Sequence, residues 1–278
     1  MIIRSMWLLC VLIFSIQFTH AEIRNISLKS EIFNNERMLR VYLPDGYDEN
    51  RDAPYPVLYM NDGQNLYSAS DSMTGKEWNM DETLDALIGH GDIPPMIVVG
   101  IDTPSYADRG NEYLPWPDKY LNPPIPEPMG KSYPDFLEKE VIPHVEQQFN
   151  VGKTPDDRAL GGSSYGGLIT MYTAVNKELF SSYLIESPSF YVKNRAIIRE
   201  LRRKDVFGDK LYIGIGTHEG LASCEFEGNN EAVDDMRRAV ETMDGDFELF
   251  DVVEECGFHS ETAWSRRLPT ALISLFGN

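Results

Sequence analysis

The sequence predicts an α/β fold, a central and mostly parallel twisted sheet with helices on both faces. Three observations predict it. Short uninterrupted apolar runs such as Val57–Met60 and Met96–Ile101 read as strands covered on both sides, because a strand with one wet face alternates apolar and polar residues. Between such runs lie segments with apolar residues at i, i+3, i+4 and i+7, as crossover helices require. A chain of 278 residues with 42% hydrophobic content carries enough apolar surface for one domain of this kind and rather little for two.

The first 21 residues stand apart from that fold. Arg4, the apolar run from Met6 to Phe14 and the ending Thr19-His20-Ala21 combine a basic start, an uncharged centre and a small residue at a cleavage position, the pattern of a secretory signal. The run is too short to span a bilayer. Cys10 follows Leu9 inside the apolar run, which argues against a lipid-attachment site. The expected product is an exported domain, periplasmic or secreted, covering residues 22–278, with no membrane anchor after signal removal. The full chain's balance of 25 basic against 44 acidic residues, a formal charge of −19, repels polyphosphates, so no nucleic-acid partner is expected. Cys224 and Cys256 remain after the signal. An even pair in an exported chain is a disulfide candidate, with two free thiols as the alternative.

Along the chain, the alternation from Ile23 to Leu43 suits two antiparallel half-buried strands that end at the turn Pro44-Asp45-Gly46. Strands are then expected at Val57–Met60, Leu84–Ile88, Met96–Ile101, Arg158–Gly162, Tyr183–Ile185, Leu211–Ile215 and Phe247–Val253. Helical spacing marks Phe136–Phe149, the stripe Leu168, Met171, Tyr172 and Val175, and the stripe Val233, Met236, Val240 and Met243. A last helix carries Leu268, Ala271, Leu272, Leu275 and Phe276, with Pro269 in its first turn or kinking it. The stretch from Asp102 to Lys131 is rich in proline and aromatic residues and reads as a long irregular excursion. Arg109, Tyr113, Trp116 and Tyr120 are its candidates for the wall of a binding cleft; the alternative is a surface loop packing its own aromatics.

The chemistry concentrates at Gly161-Gly162-Ser163-Ser164-Tyr165-Gly166-Gly167, which holds G-x-S-x-G between an expected strand and an expected helix. A sharp strand-to-helix turn projects the Ser164 hydroxyl above the sheet, and the helix points its positive end at the site. Ser163 is expected to face away. A serine hydroxyl needs a base to take its proton. His259 follows the last strand and so falls at the same sheet edge as the serine turn. His218 is its rival, while His20 leaves with the signal, His90 sits in a turn and His144 in a helical pattern. The orienting acid is expected between serine and histidine in chain order. Glu219 stands at the end of the strand Leu211–Ile215, with Glu225, Glu227, Glu254 and Glu255 as alternatives and a dyad without an acid also open. Two backbone donors for an oxyanion are expected from Tyr165 and, in the turn Asn61-Asp62-Gly63-Gln64-Asn65, from Gln64. Asp48-x-Asn50-x-Asp52 begins like a calcium loop, but Ala53 replaces the glycine and Tyr59 the bidentate acid, so neither a metal nor a cofactor is expected.

With Met60 to Leu66 (MNDGQNL), the elbow GGSSYGG, the GTHEG after a strand and the closing GFHSETAW on the page, the chain resembles the putative-esterase family. That family groups S-formylglutathione hydrolase, feruloyl and acetyl xylan esterases, ferric-enterobactin esterases and the antigen 85 mycolyltransferases. The resemblance covers about residues 25 to 277 and implies an α/β-hydrolase fold. By position it implies Ser164 as nucleophile, His259 as base, Glu219 as acid, and Gln64 and Tyr165 as backbone donors. Many members carry Asp where Glu219 stands, and the insertion Leu221 to Gly228 bearing Cys224 looks additional. A Cys224–Cys256 bond would tie the acid loop to the histidine loop. The implied activity is a serine carboxylic-ester hydrolase acting on a small or carbohydrate-linked acyl ester. A siderophore trilactone esterase is the alternative; it needs a local basic patch, for which Arg109 and Lys119 are the candidates. An acyltransferase and a catalytically silent binding module are the readings of other classes.

Overall fold

A computed structural model describes residues 21–221, 223–225 and 230–277. Of the expected signal only Ala21 is among them; Cys10, His20 and Glu227 lie outside. Eight strands form one sheet: β1 (Glu22–Ser30), β2 (Asn35–Leu43), β3 (Val57–Asn61), β4 (Ile97–Ile101), β5 (Arg158–Ser163), β6 (Ser182–Glu186), β7 (Lys210–Gly216) and β8 (Glu248–Glu254). Their spatial order is β1-β2-β4-β3-β5-β6-β7-β8. β1 pairs with β2 and β2 with β4 in antiparallel register, and all later pairings are parallel. The predicted α/β-hydrolase architecture is thus the one observed. Every residue of β3, β4 and β6 is buried, which is why their sequences read as unbroken apolar runs. β8, at an edge, alternates half-buried and exposed residues.

Helices cover both faces. α1 (Met80–His90) and α8 (Glu261–Phe276) enclose a core with Leu58, Met60, Val98 and Tyr212 on one side. On the other side α5 (Tyr165–Ala174), α6 (Val192–Leu201) and α7 (Asn230–Val240) pack over a larger core that includes Tyr59, Val99, Leu160 and Ile213.

Four expectations are corrected. Leu84–Ile88 is not a strand but the middle of α1. A five-residue run is too short to reveal its period, and the buried set Met80, Leu84 and Leu87 is helical in spacing. The excursion after Asp102 is not wholly irregular: it contains α2 (Tyr106–Tyr113), started by the Ser105 hydroxyl, which accepts from the Asp108 amide at 3.1 Å. Pro269 lies in the interior of α8 rather than its first turn, because the helix begins at Glu261, after the Ser260 cap. The helix expected over Phe136–Phe149 is three joined pieces, α3 (Tyr133–Phe136), a π-helical turn Leu137–Val141 and α4 (Ile142–Glu146). The wider turn falls just before Pro143, which has no amide hydrogen for the regular ladder.

Two buried ion pairs lock elements to the sheet. Arg37 of β2 donates to both carboxylate oxygens of Glu112 at 2.6 and 2.8 Å, with both side chains fully buried, and so anchors α2. Arg267 of α8 donates from Nε to Glu186 Oε2 at 3.0 Å and from Nη2 to the same oxygen at 2.5 Å, and also bonds Glu254. Removing one member of such a pair leaves an uncompensated charge in the interior, which costs far more than losing the pair as a whole. Arg267→Met is therefore expected to lower unfolding stability by about 3–5 kcal/mol. Urea denaturation should show most of that loss recovered in Glu186→Gln/Arg267→Met.

Candidate active site

The elbow is built by close approach of β5 and α5. Ser164, between them, adopts φ 59° and ψ −120°, a region that L-residues occupy only when neighbours force it. Here the Ser164 amide donates to the Glu186 carbonyl at 2.9 Å, and the Ser164 carbonyl accepts from Leu168 at 3.0 Å and Ser189 at 3.1 Å. A side chain at Gly162 would place its Cβ 2.8 Å from the Gly166 carbonyl carbon, so only glycine lets strand and helix meet. The Ser164 hydroxyl sits 3.4 Å from the Ser189 hydroxyl. Among the described residues, His259 is not its hydrogen-bond partner. Ser163 is buried at the end of β5.

Glu219 follows β7 and is 6% exposed. Its Oε1 accepts from the Gly216 amide at 2.9 Å and the Ser187 hydroxyl at 2.6 Å; its Oε2 is bonded to His259 Nδ1 at 2.5 Å. Burial pushes the carboxyl's pKa up, but the hydrogen bond and charge of His259, with the Ser187 and Gly216 donors, outweigh it and hold the group below its ordinary value. With Nδ1 committed to Glu219, Nε2 is the His259 nitrogen left to accept a proton. Trp264 meets the His259 ring edge to face at 5.2 Å and donates from Nε1 to the Ser187 hydroxyl at 2.9 Å. Neither Ser187 nor Trp264 was foreseen as a support. Trp264 lies in the closing motif, but nothing in the local sequence of Ser187 sets it apart from Ser189.

The acid and histidine loops touch directly. A Cβ on Gly216 would fall onto the Gly257 carbonyl. The Thr217 amide donates to the Glu254 carbonyl at 3.0 Å, the His218 amide to Gly257 at 2.9 Å, and the Cys256 amide to the Thr217 hydroxyl at 2.9 Å. Cys224 and Cys256 form a disulfide with Cα atoms 5.5 Å apart.

In the turn after β3, the Asn65 and Leu66 amides close on Asp62 and Gly63 at 2.9 and 3.2 Å. The amide of Gln64 meets no acceptor among the described residues, and Tyr165, first in α5, has no acceptor within its own helix. Asn61 Nδ2 donates to the Gly166 carbonyl at 3.1 Å, which sets this turn beside the start of α5.

The rival residues are placed elsewhere. His218 is buried with Nδ1 against the Thr217 hydroxyl at 2.9 Å, Glu254 is bonded to Arg266 and Arg267, and Glu225 and Glu255 are exposed. His90 ends α1 and His144 lies in α4. Of the four cleft candidates, Tyr120 is 68% exposed and lines two adjoining cavities of about 520 and 750 Å³. The larger also meets Pro188, Tyr191 and Gly220, neighbours of Ser189 and Glu219. Tyr113 is instead fully buried, its hydroxyl accepting from the Asp62 amide at 3.0 Å. Trp116 is half-buried and packs edge-on against Tyr172. Arg109 is bonded to Asp62. None of these three lines either cavity, because the α2 segment folds inward onto α5 instead of standing as a loop. Among the described residues no group of three or more His, Cys, Asp or Glu is arranged to hold a metal ion.

The family model described as Putative esterase matches residues 30–275. The chain belongs to this family and is an esterase. The endo-1,4-beta-xylanase/feruloyl esterase of Xylanibacter ruminicola is 26% identical over 262 residues, 92% of this chain and 32% of that protein. The iron(III) enterobactin esterase of Dickeya dadantii is 24% identical over 186 residues, covering 66% and 37% of the two chains. The IroE-like serine hydrolase of Shewanella oneidensis superposes with a TM-score of 0.74 at 21% identity, covering 92% of this chain and 80% of the other, and shares its fold.

Because backbone bonds already join the two loops of the esterase, the disulfide reinforces their contact rather than creating it. Its reduction, or Cys224→Ser/Cys256→Ser, is expected to lower stability by about 3–4 kcal/mol. Activity of the still-folded protein should stay within about twofold, since those backbone bonds remain; melting and initial rates measured in parallel check this. The lowered Glu219 pKa contributes stability that is complete above the carboxyl's ordinary value of 4.5 and is lost as pH falls through the folded value. Unfolding free energy should therefore drop more steeply with acid below that pH in the wild type than in Glu219→Gln.

Proposed function

We propose that this esterase is a serine carboxylic-ester hydrolase with Ser164 as nucleophile, His259 as general base and Glu219 as the acid that orients it. The observation that carries this reading is the Glu219–His259 hydrogen bond at the same sheet edge as Ser164 in its forced backbone conformation. For reaction, the Ser164 hydroxyl turns from Ser189 toward His259 Nε2, a bond that substrate binding tightens. Ser164 Oγ then attacks the ester carbonyl as Nε2 takes its proton. The amides of Gln64 and Tyr165 receive the oxyanion, where preorganised donors act without reorganisation. The imidazolium returns the proton to the leaving alcohol, and water, deprotonated by the same nitrogen, releases the acid from the acyl-enzyme.

The substrate we favour is a small or carbohydrate-linked acyl ester, received in the cavities beside Ser189. Their walls include the Tyr120 and Tyr191 rings, 5.7 Å apart and edge to face, a surface suited to flat or sugar-like groups. A siderophore trilactone loses one of its two candidate cations, because Arg109 is committed to Asp62. Export of residues 22–278 is part of the proposal, supported by the disulfide, which persists in oxidising compartments. No helix among the described residues is long and apolar enough to cross a membrane.

Ser164→Ala should abolish hydrolysis of p-nitrophenyl acetate and labelling by a fluorophosphonate while leaving the far-UV spectrum intact. Glu219→Gln should lower kcat by roughly 10²–10⁴-fold. Residual wild-type rates in Ser164→Ala would refute the nucleophile. Across aryl acetates, methyl ferulate, acetylated xylan and a ferric trilactone, the first three should be the better substrates. Preference for the trilactone would select the siderophore reading, and ester products with an added alcohol would select acyl transfer.

A further inference from the structure

Arg109 reaches both sides of the candidate oxyanion hole. Its Nε and Nη2 donate to Asp62 Oδ1 and Oδ2, each at 2.8 Å, and the two side chains are 13% and 4% exposed. The guanidinium carbon lies 5.5 Å from the ring centroids of both Tyr113 and Tyr165. Tyr165 follows the nucleophile, and the Tyr113 hydroxyl accepts from the Asp62 amide. Asp62 itself has left-handed backbone, φ 58° and ψ 49°, and its carbonyl closes the turn that presents Gln64. Aspartate is among the few residues other than glycine that enter this region, and the Arg109 fork fixes its side chain there. A fork that holds both carboxylate oxygens fixes an orientation as well as supplying charge.

Charge adds a second role. Asp62 Oδ2 lies 3.4 Å from the Cβ position of Gly166, beside the first turn of α5. An unpaired carboxylate there would oppose the negative charge that develops on the substrate oxygen, and because the Asp62 side chain is buried that repulsion is poorly screened. We propose that Arg109 is a positioning residue of the oxyanion hole, acting through Asp62 to orient the Gln64 amide and to neutralise a carboxylate next to the developing oxyanion. The proposal rests on the serine-hydrolase reading above. It assigns the cation of α2 to the transition state and not to recognition of a charged substrate.

The test measures kcat and KM on p-nitrophenyl acetate, together with the inhibition constant of a trifluoromethyl ketone, whose adduct carries a tetrahedral oxyanion. Arg109→Gln should lower kcat by roughly 10- to 100-fold, short of the 10²–10³ lost on deleting a donor. KM should hold within about threefold, and inhibitor affinity should fall in proportion to kcat. Arg109→Lys, which keeps the charge without the fork, should recover part of kcat. Asp62→Asn/Arg109→Gln should exceed Arg109→Gln alone, because the bare carboxylate is gone. A rise in KM at unchanged kcat, unchanged inhibitor affinity, or a kcat loss that only tracks the folded fraction by near-UV circular dichroism would each overturn the proposal. Activity surviving in Ser164→Ala would refute the parent reading. Wild-type kcat in the Arg109 variants of an enzyme that Ser164→Ala silences would refute this one alone.

Discussion

The Glu219 carboxylate is the point on which the candidate site depends. It is buried, ionised, and held by donors from the ends of three parallel strands: Gly216 at β7, Ser187 after β6 and His259 after β8. A carboxylate in that position is tolerable only if its oxygens are satisfied, so the three loops must stay in register for the charge to remain there. Ser187 extends the coupling, since it also receives Trp264 from α8, which packs against the imidazole. One buried charge thereby fixes the orientation of a ring that is itself partly open to solvent.

Beneath it, a second buried carboxylate keeps the frame rigid. Glu186 ends β6, its carbonyl holds the Ser164 amide, and its side chain is clamped by Arg267. The residue that supports the serine backbone is therefore also the residue that docks the last helix. A strained elbow and a buried ion pair each cost stability when considered alone, and the surrounding contacts over-determine both. This explains how so acidic a chain can keep these two carboxylates inside: each is matched by cationic or neutral donors, as the buried Glu112 and Asp62 are by Arg37 and Arg109.

The sequence is most informative where backbone geometry dictates residue type. The Gly162 to Gly166 segment is legible because only glycine permits the approach of β5 to α5, and the apolar runs of β3 and β4 because both faces are covered. It is least informative where a polar side chain has many possible partners. From sequence Arg109 reads as a cleft cation in a segment rich in proline; its commitment to Asp62 follows from α2 folding inward, itself fixed by the Arg37–Glu112 pair. The short run Leu84–Ile88 within α1 does not reveal its period, because its neighbours, not its own five residues, carry the helical signal.

By itself the chain determined the sheet-and-helix class, the serine turn, the order in which serine, acid and histidine appear, and the cysteine pair, since each is written in local spacing and residue type. Tertiary structure alone decided that Glu219 and not another of the 44 acidic residues meets His259, that Ser187 and Trp264 support them, and that the cation of α2 lies under the site rather than in its cleft. The reason is physical: spacing along a chain constrains backbone conformation, whereas the choice among chemically equivalent side chains is made only by which strand ends the sheet brings together.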